Sequence, residues 1–580
     1  MKKMLLGALS LILALGCAVG CGTSGNNGGN SGTPSESNKP SQSDNVPSGV
    51  TNPFTLKVFN FNGGYGSEWL TALEKRYEAE RAGKTFTIDG KTYDGVDIKI
   101  DAVKKVMKEM STTYNFATNH VYFQEDVWYT TYLRNGNIFE DMTEALTSDN
   151  PYEPGVTLES KLSDEQKAYF NIDGKYYGVP HYAGYVGINY DIDLFEEKGY
   201  YLKDGYSYDG NTEKLAACFT ADKSKMTAGP DGKKGTDDDG LPTTYDEFFM
   251  LCGYIKQNND TPITWDNKNR QKYLNWFLSS LAASYEGLEQ TNLNYTYSGT
   301  AKTLVSVAED GTVTKLPETE ITSENGYELA KQAGKYYGLD FIETLADNGY
   351  YHSPSGFTNT DAQDKFIQGI DDNYVAMLVD GVWWENEADA TFRREEQIGE
   401  KPRKERKYGF MPLPAATNEK AAERATALGQ NKAGYTLLDT HSSLCFIGKG
   451  LSEDVRKLAI DFIQFAYTDK SLTEFTTITD TTRALKYTVS DADKAKMSVY
   501  GRSIITMQEQ AEVVYSFSRA AFFQNNEATL ADFDNAFMST VDKSTVAIPI
   551  DSFLGGKSAK EYFDGLYTYR KDTLWDKLAK

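Results

Sequence analysis

The stretch AMLVDGVWWENEA, residues 376–388, shows how the chain is built. Ala376 to Val379 reads as the end of a buried strand, Gly381 breaks it, and Trp383, Trp384 and Glu385 follow directly. Two adjacent indoles do not both point into one core from a strand end or a first helical turn, so one of them is expected to face outward toward a flat apolar partner. Two other stretches have the same form. In NPFTLKVFNFNGGYGSEWLTALEKRYEAERAG (52–83) a strand over Phe54–Phe59 precedes a helix capped by Ser67 and closed by Gly83, with Asn60, Asn62, Gly63, Gly64 and Tyr65 between them. In HVYFQEDVWYTTYL (120–133) the short strand Val121–Phe123 runs straight into Gln124, Glu125 and Asp126. The turn after the first strand lacks the GxGxxG of a dinucleotide fold.

Alternating strands and helices predict α/β domains with largely parallel sheets, in which ligands bind beyond the carboxyl ends of the strands. All three clusters stand there. They supply amides, carboxylates, a phenol and indoles, an inventory that suits a sugar: carboxylates and amides bond its hydroxyls while aromatic faces cover its C–H face. The competing expectation is that Trp383 and Trp384 staple a helix to the sheet.

Length and charge narrow the classes. A chain of 580 residues exceeds one core and calls for two or more domains. The net charge of −23 repels phosphate backbones and anionic lipid heads, and no basic patch with interleaved aromatics appears, so nucleic acid is not an expected partner. Four histidines, without HExxH or CxxC, argue against a transition-metal site. No cofactor is required by any motif. Calcium is the one candidate: AGPDGKKGTDDDGLPTTYDEF (228–248) sets Asp237, Asp239, Gly240 and Asp246 at EF-hand-like spacing with Asp231 nearby, although Gly235 stands where the first ligand belongs. A solvated acidic turn is the alternative.

The N-terminus, MKKMLLGALSLILALGCAVGCGTSGNN, has two lysines, a short apolar run and then small residues and cysteines, as in a lipoprotein signal peptide over 1–20. Cys17 and Cys21 both follow a Gly. Cys21 is the expected lipidation site, because a tail rich in Gly, Ser, Asn, Thr and Pro begins behind it and makes 21–53 a flexible tether. The folded body is then expected outside the cytoplasm, held to the cell membrane by lipid. Of the remaining thiols, Cys218 and Cys252 allow one disulfide, and Cys445 reads as a core thiol. KTLVSVAEDGTVTKL (302–316) predicts a hairpin turning at Asp310-Gly311.

Taken in order, several stretches resemble the extracellular solute-binding proteins of carbohydrate ABC importers, the maltose-binding-protein-like group. DGKYYGVPHYAGYVGINYDIDLFEEKGY (173–200) is similar to the family's hairpin, Pro and strand segment; GLPTTYDEFFMLCGYIK (240–256) to its helix start, with Thr244 and Glu247 as a capping box; FIQGIDDNYVAMLVDGVWW (366–384) to its Phe-x-x-Gly…Gly-x-Trp pattern. YGFMPLPAA (408–416) resembles the returning strand, and 443–487 the late segment with a long amphipathic helix capped by Ser452. The resemblance implies a two-lobed periplasmic-binding-protein-like fold with a hinge: lobe one over 54–182 and 412–468, lobe two over 183–411 and 469–580. It carries ligand contacts onto Asn60, Asn62, Tyr65, Gln124, Glu125, Asp126, His181, Tyr182, Tyr185, Tyr273 and Trp383, with Trp384, Glu385 and Arg483 beside them. The implied function is a monomeric, membrane-anchored receptor that captures an oligosaccharide and hands it to the permease subunits, without catalysis. The rival is a secreted glycoside hydrolase drawing paired carboxylates from Glu125, Asp126, Glu385 and Glu387, and a third possibility is a passive surface adhesin.

Overall fold

The computed structural model describes residues 51–580 apart from 111–113, 137, 371–372, 440–442, 531–536, 538 and 541–545. The expected signal peptide, Cys21 and nearly all of the tether lie outside the described residues.

The chain enters as β1 (Phe54–Phe61), passes through α1 (Glu68–Arg81), and continues as β2 (Val96–Val103), β3 (Val121–Gln124) and β4 (Val179–Pro180). It then crosses into β5 (Val186–Asp191), α2 (Tyr245–Gln257), β6 (Thr261–Trp265), α3 (Arg270–Thr296), α4 (Ala333–Asp347), β7 (Val375–Gly381) and β8 (Tyr408–Met411). β9 (Tyr435–Asp439) and β10 (Leu444–Ile447) follow, then α5 (Glu453–Ala466), α6 (Asp469–Thr479), α7 (Val499–Glu509) and β11 (Ala511–Tyr515).

These strands make two main sheets. The first runs β2-β1-β3-β10-β4 and the second β6-β7-β5-β8. β1 is parallel to β2 and β3, while β10 runs antiparallel to β3. In the second sheet β6 and β7 are parallel, and β5 lies antiparallel between β7 and β8. Every residue of β7 is buried, as expected of a central strand covered on both faces. α2 begins with the predicted Thr244–Glu247 capping box, and Ser452 caps α5. Ser67 differs: it makes no side-chain cap, its hydroxyl being drawn into the preceding turn. The hairpin pairs Val305–Val307 with Val313–Lys315. Cys218, Cys252 and Cys445 are free and buried, so the disulfide allowed by the sequence does not form.

The lobe boundaries shift in three places. Residues assigned to lobe one from 412 pack with the second sheet's helices instead: Arg424 donates to Leu413 O (2.8 Å) and to Ser284 Oγ on α3 (3.3 Å), and β9 pairs with β11 beside α3. α6, expected to open lobe two, packs on α1, where Arg76 pairs with Glu474 at 2.7 Å and Phe475 meets Trp69 edge-on at 5.3 Å. Segment 521–530 covers the helix Tyr129–Asn135, with Glu527 accepting from Thr131 N at 2.7 Å and Asn525 from Arg134 at 2.9 Å. Each displaced segment carries apolar or paired side chains whose partners lie in the other body, which local periodicity does not reveal.

The opening pair of tryptophans divides unexpectedly. Trp384 is fully buried, edge-on to Tyr408 at 5.0 Å, Phe366 at 5.1 Å and Tyr500 at 5.6 Å. It joins the turn after β7 to β8 and α7, so it is the staple. Trp384→Ala is therefore expected to destabilise the folded body by about 3–5 kcal/mol, seen as a lower urea midpoint with an unchanged m-value.

Candidate ligand-binding site

The turn after β1 is built from its own amides. Asn60 Nδ2 donates to Gly66 O (2.9 Å) and Ser67 Oγ (3.2 Å), and Ser67 Oγ donates to Asn62 Oδ1 (3.1 Å). This fixes Tyr65, whose hydroxyl donates to Ala183 O at 3.1 Å and whose ring centroid lies 4.0 Å from that of Tyr182. The Tyr182 hydroxyl in turn bonds Glu125 Oε1. Gln124 is buried: Nε2 donates to Lys105 O (3.0 Å), while Oε1 accepts from Glu125 N (2.8 Å), so it positions Glu125. Asp126 adopts a left-handed backbone (φ 55°) that turns the chain, and its carboxylate meets Lys272 on α3 at 3.4 Å. Burial pushes the Glu125 carboxyl well up from the ordinary carboxylate range, and neighbouring Asp126 adds to this.

The second sheet supplies the facing groups. The Trp383 ring folds over Gly381, where a Cβ would collide with it, and lies against Gly64, where a Cβ would stand 2.7 Å from Trp383 Cγ. Trp276 is edge-on to Trp383 at 6.0 Å, Tyr273 lies 5.5 Å from Trp276, and Lys272 Nζ sits 4.7 Å over the Trp276 ring. Glu387 accepts from Lys104 (3.0 Å), Asn359 (2.8 Å) and Gln363 (3.1 Å), and Gln363 also reaches Asp380 at 2.9 Å. The Tyr273 hydroxyl is pushed well up, first by burial and then by the charges of Asp380, Glu387, Asp266 and Glu125.

Three cavities border the crossing between the sheets. The first, lined by Asn60, Tyr65, Gln124, Glu125, His181 and Tyr182, is closed up with no free volume for a ligand. Tyr182 also borders a narrow one of about 30 Å³ walled by Trp128, Tyr169, Tyr515 and Phe517, with Asp439 and Glu527 as its acids. Tyr185 lines the third, about 330 Å³, with Asp439, Tyr487 and Gln508, and this one alone of the three reaches the size of a small-molecule site.

Several expected site residues lie elsewhere. Neither indole faces outward: Trp383 is only 4% exposed, because the Gly64 turn covers it. Trp384 belongs to the core. Glu385 is buried against Arg403 (3.3 Å) and Ser498 (3.3 Å). Although Arg483 edges the third cavity and His181 the first, both are spent on packing within the first body: the Arg483 guanidinium bonds His181 Nδ1 and lies 4.2 Å over Phe475 and 4.8 Å over Trp69. In the acidic loop the carboxylates of Asp231, Asp238 and Asp239 come within reach of the Thr236 hydroxyl (3.4, 2.7 and 3.4 Å). Asp238 accepts from Asp231 N (2.9 Å), Asp231 from Lys233 N (2.7 Å) and Asp239 from Gly235 N (2.7 Å), while Asp246 stands in the first turn of α2. Among the described residues no three His, Cys, Asp or Glu side chains form a metal-holding group. Lys104, Lys272 and Trp276 were not anticipated. Trp276 was within reach, since it follows Tyr273 at i+3 on one helix face; no local signal marks Lys104.

A family model described as bacterial extracellular solute-binding protein matches residues 73–499. Among solved structures, the chain is similar to a cyclic α-maltosyl-1,6-maltose binding protein from Arthrobacter globiformis, at 12% identity and TM-score 0.50, over 90% of this chain and 100% of that one. It is likewise similar to the GacH receptor of Streptomyces glaucescens, solved unliganded and with acarbose, at 14% identity and TM-score 0.50, over 91% of this chain and 100% of that one. At these identities the likeness speaks to the fold, which is the two-lobed periplasmic-binding-protein-like one. No curated protein matches the chain.

The elevated Glu125 has a consequence for stability. A carboxyl that holds its proton more tightly when folded contributes stability that is fully present below its ordinary value of 4.5 and is lost as pH rises toward the folded value. The wild-type urea midpoint is expected to fall as pH rises above the ordinary carboxyl value of 4.5, and Glu125→Gln to flatten that slope.

Proposed function

The chain belongs to the bacterial extracellular solute-binding proteins, and on that premise we propose that it captures an oligosaccharide between its lobes and delivers it to the permease of an ABC transporter. One observation carries the sugar assignment. Aromatic planes from the second sheet's side (Trp383, Trp276, Tyr273) and acids from the first (Glu125, Asp126) meet at the carboxyl ends of their strands. Stacking surfaces beside charge-assisted acceptors bind a polyol that has one apolar face. Opening and closing about the 181–185 crossing admits the ligand, and a ligand touching both lobes shifts that equilibrium.

The N-terminal segment supports lipidation at Cys21, with 21–53 as the tether that lets a monomeric body reach the permease. Among the described residues no helix is long and apolar enough to cross a membrane. The hydrolase alternative loses support from the engagement of its acids. Glu385 is bound by Arg403 away from the site, and Glu387 accepts three donors, leaving no evident acid–base pair across a shared space.

A glycan panel read by thermal shift and calorimetry tests the proposal: at least one oligosaccharide raises the melting temperature without being cleaved. Tyr273→Ala is expected to weaken that ligand by about one to two orders of magnitude, the worth of a lost stacking face and hydroxyl. Turnover of the glycan, abolished by Glu125→Gln, would instead establish the hydrolase.

A further inference from the structure

The charged groups where the lobes meet are unequal in number, and their arrangement bears on which sugars enter. Asp126 follows Glu125 on the first lobe, and on the second Gln363 joins Glu387 to Asp380 (3.1 and 2.9 Å). Two lysines reach these acids, Lys272 and Lys104. Each is already held by an acid from the opposite lobe. Lys104, which follows β2 of the first sheet, pairs with Glu387 at 3.0 Å; Lys272, on α3 of the second, pairs with Asp126 at 3.4 Å and lies over Trp276. Among the described residues, no Lys or Arg forms an ion pair with Glu125 or Asp380, so these acids outnumber the two lysines that pair here, and both lysines are engaged.

Resting on the oligosaccharide reading above, we infer that this site selects by charge, taking uncharged oligosaccharides and rejecting those that carry carboxylate or sulfate groups, with Asp126 and Glu387 setting the preference by occupying its two lysines. Hydroxyl groups of a neutral sugar donate to the carboxyl oxygens without needing a cation. A uronate brings a further anion toward Asp126 and Glu387. To find a cation it has to displace Glu387 from Lys104 or Asp126 from Lys272, which exposes the displaced acid to the same repulsion. Glu387 is the stronger determinant: Asn359 and Gln363 hold it in place, and only 13% of its side chain is exposed.

Calorimetry with neutral oligosaccharide series and with oligogalacturonates of matched length tests this on the wild-type chain. At least one neutral ligand binds, and the matched uronates bind at least about tenfold more weakly. Glu387→Gln and Asp126→Asn, which keep side-chain shape and an acceptor oxygen, release Lys104 and Lys272 and narrow the neutral-to-uronate ratio by about fivefold or more. Raising the salt to about 0.5 M narrows the same ratio in the unmutated protein, a readout that survives if either variant folds poorly. Uronates binding the wild type as tightly as neutral sugars overturn the charge selection while leaving the oligosaccharide reading intact. A ratio unmoved in both well-folded variants overturns the assignment to Asp126 and Glu387. If no sugar of either kind binds, the parent reading falls and takes this one with it.

Discussion

The fold depends on how a buried stretch of five residues is satisfied. Between β4 and β5 the chain passes from one sheet to the other through His181–Tyr185, and the amides in this crossing need partners inside the protein. Three distant segments supply them. His181 N donates to Ser443 O (3.0 Å), Tyr182 N to Ser443 Oγ (3.2 Å), Ala183 N to Thr482 O (3.1 Å) and Gly184 N to Asp439 Oδ1 (3.3 Å). Ala183 O accepts from Tyr65. The crossing is thus tied to the strand returning at β10, to the loop after α6 and to the first turn of the fold. Its backbone positions the aromatic groups that line the cavities on either side.

That constraint explains the division of labour among aromatic residues. Tyr182 reports to Glu125, Tyr185 accepts from Gln508 at 2.9 Å, and His181 turns inward to Phe123, Trp69 and Arg483. The same partition recurs after β7, where Trp383 turns toward the Gly64 loop and Trp384 into the core. At both places adjacent residues leave the backbone in different directions, so one serves packing and its neighbour serves the space between lobes. A strand end that must do both carries two large aromatics in succession.

Much of this was legible in the sequence. Strand runs bounded by Gly and Asn gave both sheets, the capping box at Thr244 and Glu247 marked the start of α2, and Asp310-Gly311 marked the hairpin. The α/β pattern also led to the expectation of a site at the strand carboxyl ends. What stayed hidden depends on partners far along the chain. Nothing local to Arg483 shows that Trp69 and Phe475 will enclose it, and nothing near Glu385 announces Arg403 and Ser498. α6 joins the first lobe because Arg76, some four hundred residues earlier, meets Glu474 and Ser471. Lys104 enters the site only through Glu387 of the other lobe.

The contacts between lobes also differ in kind from those within them. Inside each lobe, buried strands and aromatic clusters supply stability through area removed from water. Across the gap the ion pairs reach solvent through at least one partner: Lys104 with the largely buried Glu387, Lys272 with Asp126, and Arg393 with Glu68, whose side chains are 61% and 76% accessible. Exposed pairs contribute about 0.2–1 kcal/mol each, and salt screens them. Trp383 against Gly64 is one apolar contact, where a glycine offers little surface, and Tyr169 stacked on Phe517 at 4.4 Å is another. On the proposed function, a ligand that replaces the Gly64 surface on the Trp383 ring and bonds the acids shifts the balance between open and closed lobes.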